Sequence, residues 1–250
     1  MNVALWGLCL GIVAGWLVNV LADTIPLRRT LGETWRWPLQ HMRILSGDPT
    51  LSAMLTPTGA DDVQSLPTTR RYLLVWLAAI GLGWFAYTRL GWTPKALLVA
   101  LEAWFFLAIA VIDLEHRLVL NRMVLPAAPC ILIANLLLGD VTITSILLGA
   151  AAGFGFFLVL ALLAPGGMGM GDVKLAGLIG LTTGLSSVLV ALFIAILAGG
   201  VAGAIIIING RRRHHSWRGQ TMAYAPYLVI GVWVVLFDGL ELLHNYLERL

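Results

Sequence analysis

Uninterrupted apolar runs recur along the chain, and they restrict its fold more than any other feature of the sequence. A helix needs about 20 apolar residues to cross roughly 30 Å of hydrocarbon. Inside lipid every backbone amide must be paired within the protein, so only helices or a closed barrel can cross. The runs are continuous rather than alternating, which indicates helices. With 59% hydrophobic and 12% charged residues, the chain is predicted to be an all-α polytopic membrane helix bundle.

The hydropathy pattern predicts eight membrane segments. They are Val3–Asp23, Tyr72–Tyr87, Ala96–Asp113, Met123–Leu138, Ile143–Ala164, Val173–Leu181, Ser186–Ile208 and Ala223–His244. The first lacks a charged stretch before it and a small-residue cleavage site after it, which predicts a retained span. The sixth is too short to span alone, so we expect it to be half-buried or to continue into the seventh. We divide the chain into residues 1–71, a helix with a cytoplasmic loop, and residues 72–250, the bundle that carries the site.

The distribution of basic residues predicts the orientation in the membrane. When loops are assigned alternately to two sides, only Arg89, Lys95 and Arg249 of the 16 Lys and Arg residues fall on one side. Cytoplasmic loops carry the excess of Lys and Arg. We therefore expect an inner-membrane protein with its N-terminus outside and the loops Pro26–Arg71 and Asn209–Met222 inside. This asymmetry accounts for the net charge of +3, and no nucleic-acid partner is expected.

Two aspartates stand out because ionisable residues inside apolar segments are costly and tend to be functional. Asp113 ends the third segment and Asp172 begins the sixth, both at the predicted cytoplasmic face. Carboxyls at one depth on separate helices can meet, and repulsion then prevents both from being ionised together. The ionised member can take a proton from water while the protonated member polarises a peptide carbonyl. The pair therefore predicts aspartyl peptidase chemistry.

The residues before Asp172 fit this interpretation. Gly169 and Gly171 remove side-chain bulk, so a substrate backbone can approach closely. A helix that starts here favours a charged carboxylate through its dipole, which nominates Asp172 as the ionised member. The spacing alone fits a second interpretation equally well, in which both carboxylates only cap helix ends at the membrane interface.

Other carboxylates are weaker candidates. Glu102 lies eleven residues before Asp113, on nearly the same helix face and about three turns towards the outside. It either lines the same cavity or makes a structural hydrogen bond to a neighbouring span. Asp23 and Asp238 lie near segment ends, where an interfacial role is expected.

Four sequence elements, in order along nearly the whole chain, resemble the type IV prepilin peptidase family of GxGD-type membrane aspartyl peptidases. Residues 169–174, GMGDVK, resemble the family's GxGDxK element. Residues 113–121, DLEHRLVLN, resemble its first aspartate motif, in which Pro-Asn or Pro-Asp follows the aspartate. Residues 11–26 resemble its glycine-rich N-terminal segment, and residues 223–228, AYAPYL, resemble its Pro-Phe-Gly-Pro-Phe element.

The resemblance implies cleavage of the basic leader of prepilin or pseudopilin precursors, after a glycine and at the cytoplasmic membrane face. Such precursors serve type IV pili and type II secretion. Many family members also methylate the new N-terminus with S-adenosylmethionine, and the resemblance leaves this second activity open. The resemblance makes Asp113 and Asp172 the catalytic residues, and the substrate-binding or site-shaping candidates are Gly169, Gly171, Lys174, Asn121, Glu102 and Pro226.

The chain departs from the family at three places. Leu120 replaces a proline, and Thr24 replaces a basic residue. Bacterial family members commonly carry two CxxC pairs in the first cytoplasmic loop, read as a zinc-binding element, whereas Pro26–Arg71 has no cysteine. We therefore expect no zinc, and peptidase chemistry by two aspartates needs no cofactor.

Two other functions compete with this interpretation. A GxGD protease that acts on different membrane substrates would use the same aspartates. A small ion-coupled transporter would use buried carboxylates to carry protons or cations. The transporter is less favoured because both aspartates lie at one face and the sequence has no paired inverted halves.

Overall fold

The computed structural model describes residues 3–25, 69–139, 141–163, 168–212 and 223–237, and its regular elements in these ranges are all α-helices. Six of them, α1 to α6, are long and apolar enough to cross a membrane, and α7 is shorter. The prediction of an all-α polytopic membrane bundle is confirmed. The helices are α1 Val3–Thr24, α2 Thr69–Leu90, α3 Pro94–His116, α4 Asn121–Leu138, α5 Ile143–Leu163, α6 Met170–Arg212 and α7 Ala225–Leu236.

Some sequence expectations fall outside these ranges. They concern most of the loop Pro26–Arg71, the end of the eighth predicted segment, and Asp238. The division of the chain at residue 71 stays a prediction for the same reason.

The longest helix, α6, consists of two helices that meet at Gly184, where the backbone is not helical (φ 74°, ψ 178°). A Cβ atom placed on Gly153 of α5 would contact both the carbonyl oxygen of Ala176 and the side chain of Val188. In one straight helix, residues 176 and 188 would lie about 18 Å apart. The chain therefore folds back at Gly184. Residues 170–183 form a short helix, α6a, and residues 185–212 form a longer one, α6b, which agrees with two predicted segments.

The reversal depends on glycine and on one hydroxyl of α5. A positive φ is costly for residues with a side chain, whereas glycine adopts it freely. A Cβ on Gly184 would also approach the Ser145 hydroxyl oxygen to 2.9 Å. The backbone N–H of Leu185 donates a hydrogen bond of 3.0 Å to that hydroxyl. Ser145 thereby satisfies a backbone donor at the start of α6b, where a new helix leaves such groups without partners.

Helices α5 and α6a pack so closely that their backbones touch at glycines. A Cβ on Gly149 would lie 2.7 Å from the carbonyl oxygen of Gly180, and one on Gly153 would overlap the backbone of Ala176. One turn forward along α5 thus corresponds to one turn backward along α6a, which defines an antiparallel register. Small residues at such contacts let membrane helices approach and gain van der Waals contact.

Helix α3 is the centre of the bundle. In its most apolar stretch of 18 residues, 78% of the residues are buried, whereas the corresponding share is 39% or less in the other spans. Its N-cap is Thr93, whose hydroxyl accepts a hydrogen bond from the Ala96 N–H. Its neighbours include α1, α2, α4 and α7. Helices α4 and α7 also pack against α6, so they connect the helix of Asp113 with the helix of Asp172.

Candidate active site

Asp113 lies in the last turn of α3 and is buried, with 4% of its surface exposed. The helix ends because Arg117 adopts a left-handed conformation (φ 52°, ψ 40°) while its N–H still bonds to the Asp113 carbonyl oxygen. The side chain of Asp113 is held from another helix. Its Oδ2 atom accepts a hydrogen bond of 3.0 Å from the backbone N–H of Ala225.

The donor to Asp113 is the N-terminus of α7. The first N–H groups of a helix have no partner within the helix and carry partial positive charge. Here Tyr227 N–H turns back to the Tyr224 carbonyl oxygen, and Pro226, in the first turn, has no N–H. The N–H of Ala225 is thus free to bind the carboxyl. Pro226 was a sequence candidate, but only the tertiary structure brings the adjacent N–H to Asp113.

Asp172 lies in the first turn of α6a and is buried, with 8% of its surface exposed. Its backbone N–H donates to the Gly169 carbonyl oxygen at 3.0 Å. Gly171 packs against Val119 in the segment that follows α3, where a Cβ would lie 2.7 Å from the Val119 Cβ. Both glycines therefore fit the turn that presents Asp172 beside the end of α3.

Asp113 and Asp172 lie at the ends of two helices that are adjacent here, because Gly171 packs against Val119 after the end of α3. That the two carboxyls act as a pair stays a prediction. The nomination of Asp172 as the ionised member rested on its position at a helix N-terminus. Asp113 is also bound by a helix N-terminus, that of α7, so this argument does not distinguish the two residues.

Lys174 and Asn121, two further candidates, contact each other. The Lys174 Nζ atom donates a hydrogen bond of 2.8 Å to the Asn121 Oδ1 atom. This bond joins the start of α4 to the start of α6a, on the rim of the site. The two family motifs are thus connected by one side-chain pair.

Glu102 is buried but has a separate partner. Its Oε1 atom accepts a hydrogen bond of 2.6 Å from the Nδ2 atom of Asn135, which also bonds to the Ile131 carbonyl oxygen. The structure therefore places Glu102 in a polar contact between α3 and α4, which was one of the two sequence interpretations. Its role in shaping the site stays a prediction.

Arg71 connects three helix ends near the site, and the sequence alone did not single it out. Its guanidinium pairs with Asp23 of α1 at 2.8 Å and with Glu115 of α3 at 2.9 Å. The Tyr72 hydroxyl donates a hydrogen bond of 2.6 Å to Asp23. We call Arg71, Asp23 and Glu115 the Arg71 cluster. It joins the end of α1 and the start of α2 to the helix that carries Asp113.

A metal-binding site would need several donor side chains close together. Within the ranges that the structure covers, no three His, Cys, Asp or Glu residues are arranged to hold a metal ion. The loop Pro26–Arg71 contains no cysteine.

The bundle of helices buries two carboxyls at adjacent ends of two helices, an arrangement that suits aspartyl peptidase chemistry. The description "Type IV leader peptidase family" belongs to the family model that matches residues 100–204. The matched region includes both aspartates, and the family resemblance seen in the motifs is confirmed.

Curated relatives carry the name prepilin leader peptidase/N-methyltransferase. The Pseudomonas aeruginosa protein is 30% identical over 184 residues, which cover 72% of this chain and 62% of that protein. The Bacillus subtilis protein is 31% identical over 140 residues, covering 56% of this chain and 55% of that protein. The Xanthomonas campestris pv. campestris protein is 28% identical over 274 residues, covering 96% and 92%. The chain spans less than two thirds of the first two relatives' length, and no solved structure matches it.

Proposed function

We propose that the protein is a membrane aspartyl endopeptidase that removes the basic leader of type IV prepilin-like precursors. The observation that supports this most directly is that Asp113, at the end of α3, and Asp172, at the adjacent start of α6a, are both buried. Both residues lie in the region matched by the type IV leader peptidase family. The relatives' name, prepilin leader peptidase/N-methyltransferase, supplies the substrate class.

In the proposed reaction one carboxylate takes a proton from a water molecule, and the water oxygen attacks the scissile carbonyl carbon. The protonated carboxyl of the other aspartate donates a hydrogen bond, then its proton, to the carbonyl oxygen. The tetrahedral intermediate collapses when the C–N bond breaks and the leaving nitrogen accepts a proton from the pair. No covalent enzyme intermediate forms. The Ala225 N–H holds one carboxyl by its Oδ2 atom and leaves its other oxygen for water.

The substrate fits the position of the site. The excess of basic residues on one side predicts that the end of α3 with Asp113 faces the cytoplasm, with the N-terminus outside. A prepilin has a basic leader and then an apolar helix, so its junction lies at the same interface when that helix is in the bilayer. Cleavage after a glycine at this junction places the scissile bond at the depth of the two aspartates.

Methylation of the new N-terminus is a separate proposal, based on the second part of the relatives' name. S-adenosylmethionine would supply the methyl group. We assign no binding site for this cofactor among the described residues. The proposed peptidase reaction does not use it. Mass spectrometry of the processed pilin distinguishes a methylated from an unmethylated N-terminus.

The deciding experiment uses purified full-length protein in detergent or nanodiscs. A prepilin with a basic leader is added, and the product's N-terminus is determined. We expect a new N-terminus directly after the glycine that precedes the apolar segment. A signal-peptide-like substrate without a basic leader serves as the comparison, and cleavage of that substrate alone would instead support a GxGD protease with other targets.

A further inference from the structure

Helices α4 and α7 flank the two helices that carry the aspartates. Both pack against α3 and α6, and no extensive contact joins α4 to α7 in the described part of the chain. They therefore cover different sides of the two aspartate helices. Each also reaches the site at its own start. The Ala225 N–H of α7 donates to Asp113, and Asn121 of α4 accepts a hydrogen bond from Lys174, two residues after Asp172.

Helix α4 is held less firmly than the other neighbours of the site. Four of its 18 residues are buried, compared with five of the 12 residues of α7. The ring N–H of Trp233 also ties α7 to the Ala103 carbonyl oxygen of α3 at 3.2 Å. Helix α5 exposes as much of its apolar stretch as α4 does, but its glycines bring its backbone against α6a. On the side of α1 and α2, the Arg71 cluster fixes the end of α3.

Two side-chain hydrogen bonds hold α4, one near each end, and they differ in burial. Near its C-terminal end, the buried Asn135 side chain donates to Glu102 of α3 at 2.6 Å. At its N-terminal end, the bond of 2.8 Å from Lys174 to Asn121 is exposed. Water competes for an exposed bond, whereas breaking the buried one leaves polar groups unsatisfied in an apolar surrounding. The C-terminal half of α4 is therefore the fixed half, and the half beside the aspartates is held weakly.

Two prolines separate the weakly held half of α4 from the fixed half. Pro126 and Pro129 lie inside the helix. Because proline has no N–H, the carbonyl oxygens of Arg122 and Leu125 lack their helical donors. Helices bend most readily at such positions. Residues 121–129 can therefore bend away from α3 and α6a while the remainder of α4 stays in place.

We infer that the apolar helix of the precursor reaches the aspartates from the lipid on the side of α4, and that residues 121–129 bend outward to admit it. This inference rests on the proposed peptidase function. Residues 121–129 lie at the end of the bundle that carries both aspartates, which is the depth proposed for the junction between the basic leader and the apolar helix. The bound helix then packs beside α4, where Leu125 is 61% exposed.

Photo-cross-linking in nanodiscs tests the side of entry. A benzophenone amino acid replaces Leu125 in the full-length protein with Asp172→Asn, so that a prepilin binds without being cut. We expect ultraviolet light to join position 125 to the apolar segment of the prepilin. The matched control carries the same amino acid in place of Leu74 of α2. Leu74 lies near the same end of the bundle and is 66% exposed, and it should give background capture.

Removal of the prolines tests the bending. Pro126→Ala/Pro129→Ala restores two backbone donors, and two restored hydrogen bonds suffice to change a rate about tenfold. We expect kcat/KM for the prepilin to fall about tenfold while the thermal unfolding temperature rises, because alanine favours a helix interior and proline opposes it. A merely structural role of the prolines would not combine these two changes. Pro94→Ala is the control, since a proline in the first helical turn interrupts no hydrogen bond, and it should leave kcat/KM unchanged.

Several results would overturn the inference. Equal capture at positions 125 and 74, capture at 74 alone, or no capture at either would refute entry beside α4. Unchanged prepilin cleavage by Pro126→Ala/Pro129→Ala would refute the bending. If the unmodified protein does not cleave the prepilin at all, the proposed function fails as well. If it cleaves normally and the expected capture is missing, the role of α4 alone is refuted.

Discussion

At the scale of single residues, the Asp113 carboxyl is held by a backbone group of a distant segment. The Ala225 N–H, at the start of α7, donates to its Oδ2 atom. A backbone donor does not depend on a rotamer, so this carboxyl is held by a rigid helix end. Burial of a carboxyl is penalised less when such a donor satisfies it. The N-terminus of α7 thus serves the site.

Replacing either aspartate tests the proposed chemistry at this scale. Asn is nearly isosteric with Asp but cannot exchange the required proton. Asp113→Asn and Asp172→Asn should each lower the cleavage rate by about a hundredfold or more, while the variants still insert and fold. The measurement is cleavage of a prepilin by purified protein. Asp23→Asn is the control. It should keep its activity, because the Asp23 carboxyl pairs with Arg71 and takes no part in the proposed proton transfer. Robust cleavage by Asp172→Asn would exclude that residue from the mechanism.

At the scale of elements, the Arg71 cluster fixes the ends of α1, α2 and α3 to one another. Arg71 has 13% of its side chain exposed, and Asp23 has 15%. At such partial burial, a charged group that loses its partner has little water to replace it. The cluster therefore couples the end of α1 and the start of α2 to the end of α3 that carries Asp113.

We expect Arg71→Gln to destabilise the protein by roughly 2 kcal/mol, because it leaves Asp23 and Glu115 without a cationic partner. The measurement is reversible unfolding in mixed micelles. Arg70→Gln removes the same charge from the adjacent, exposed residue and should have an effect of less than about 0.5 kcal/mol. The effects of Arg71→Gln and Asp23→Asn should not add, since both break the same ion pair. Full additivity would show that the pair contributes nothing.

The contact between α5 and α6a offers a second test at this scale. A Cβ on Gly153 would overlap the backbone of Ala176, whereas a Cβ on Gly155 of the same helix would meet no atom within 4 Å. Gly153→Ala should therefore cost about 1–3 kcal/mol as α6a is pushed away, and cleavage should fall because Asp172 moves with α6a. Gly155→Ala should be neutral or slightly stabilising. Equal stabilities for the two variants would show that the helices are not in close contact here.

At the scale of the whole molecule, the two ends of the bundle differ in chemistry. One end carries both aspartates and the Arg71 cluster. The other has an aromatic group in which Trp92 lies 5.4 Å from Trp6 and stacks on Tyr87. Aromatic residues favour both membrane interfaces, so this group marks an interface at its end of the bundle, and the orientation stays a prediction.

Thiol labelling of intact cells tests the orientation. In a background without Cys9 and Cys130, cysteines introduced at Thr58 and Ser216 should resist a membrane-impermeant reagent, because the basic loops are predicted to face the cytoplasm. A cysteine at Trp92 should react, and permeabilised cells should label at all three positions. Labelling of Thr58→Cys in sealed cells would reverse the orientation and move the site to the outer face.

The sequence by itself determined the class of fold and most of the spans in the described residues, and it nominated the two aspartates. These depend on local properties, namely the length of apolar runs and the cost of a carboxylate within them. It also predicted a short sixth segment, Val173–Leu181. The helix that corresponds to it, α6a, covers residues 170–183 and ends at Gly184. The structure alone decided the contacts between distant segments, such as Ala225 with Asp113 and Arg71 with Asp23. Hydropathy gives each helix its depth, but its partners and rotation are set by packing against the other helices.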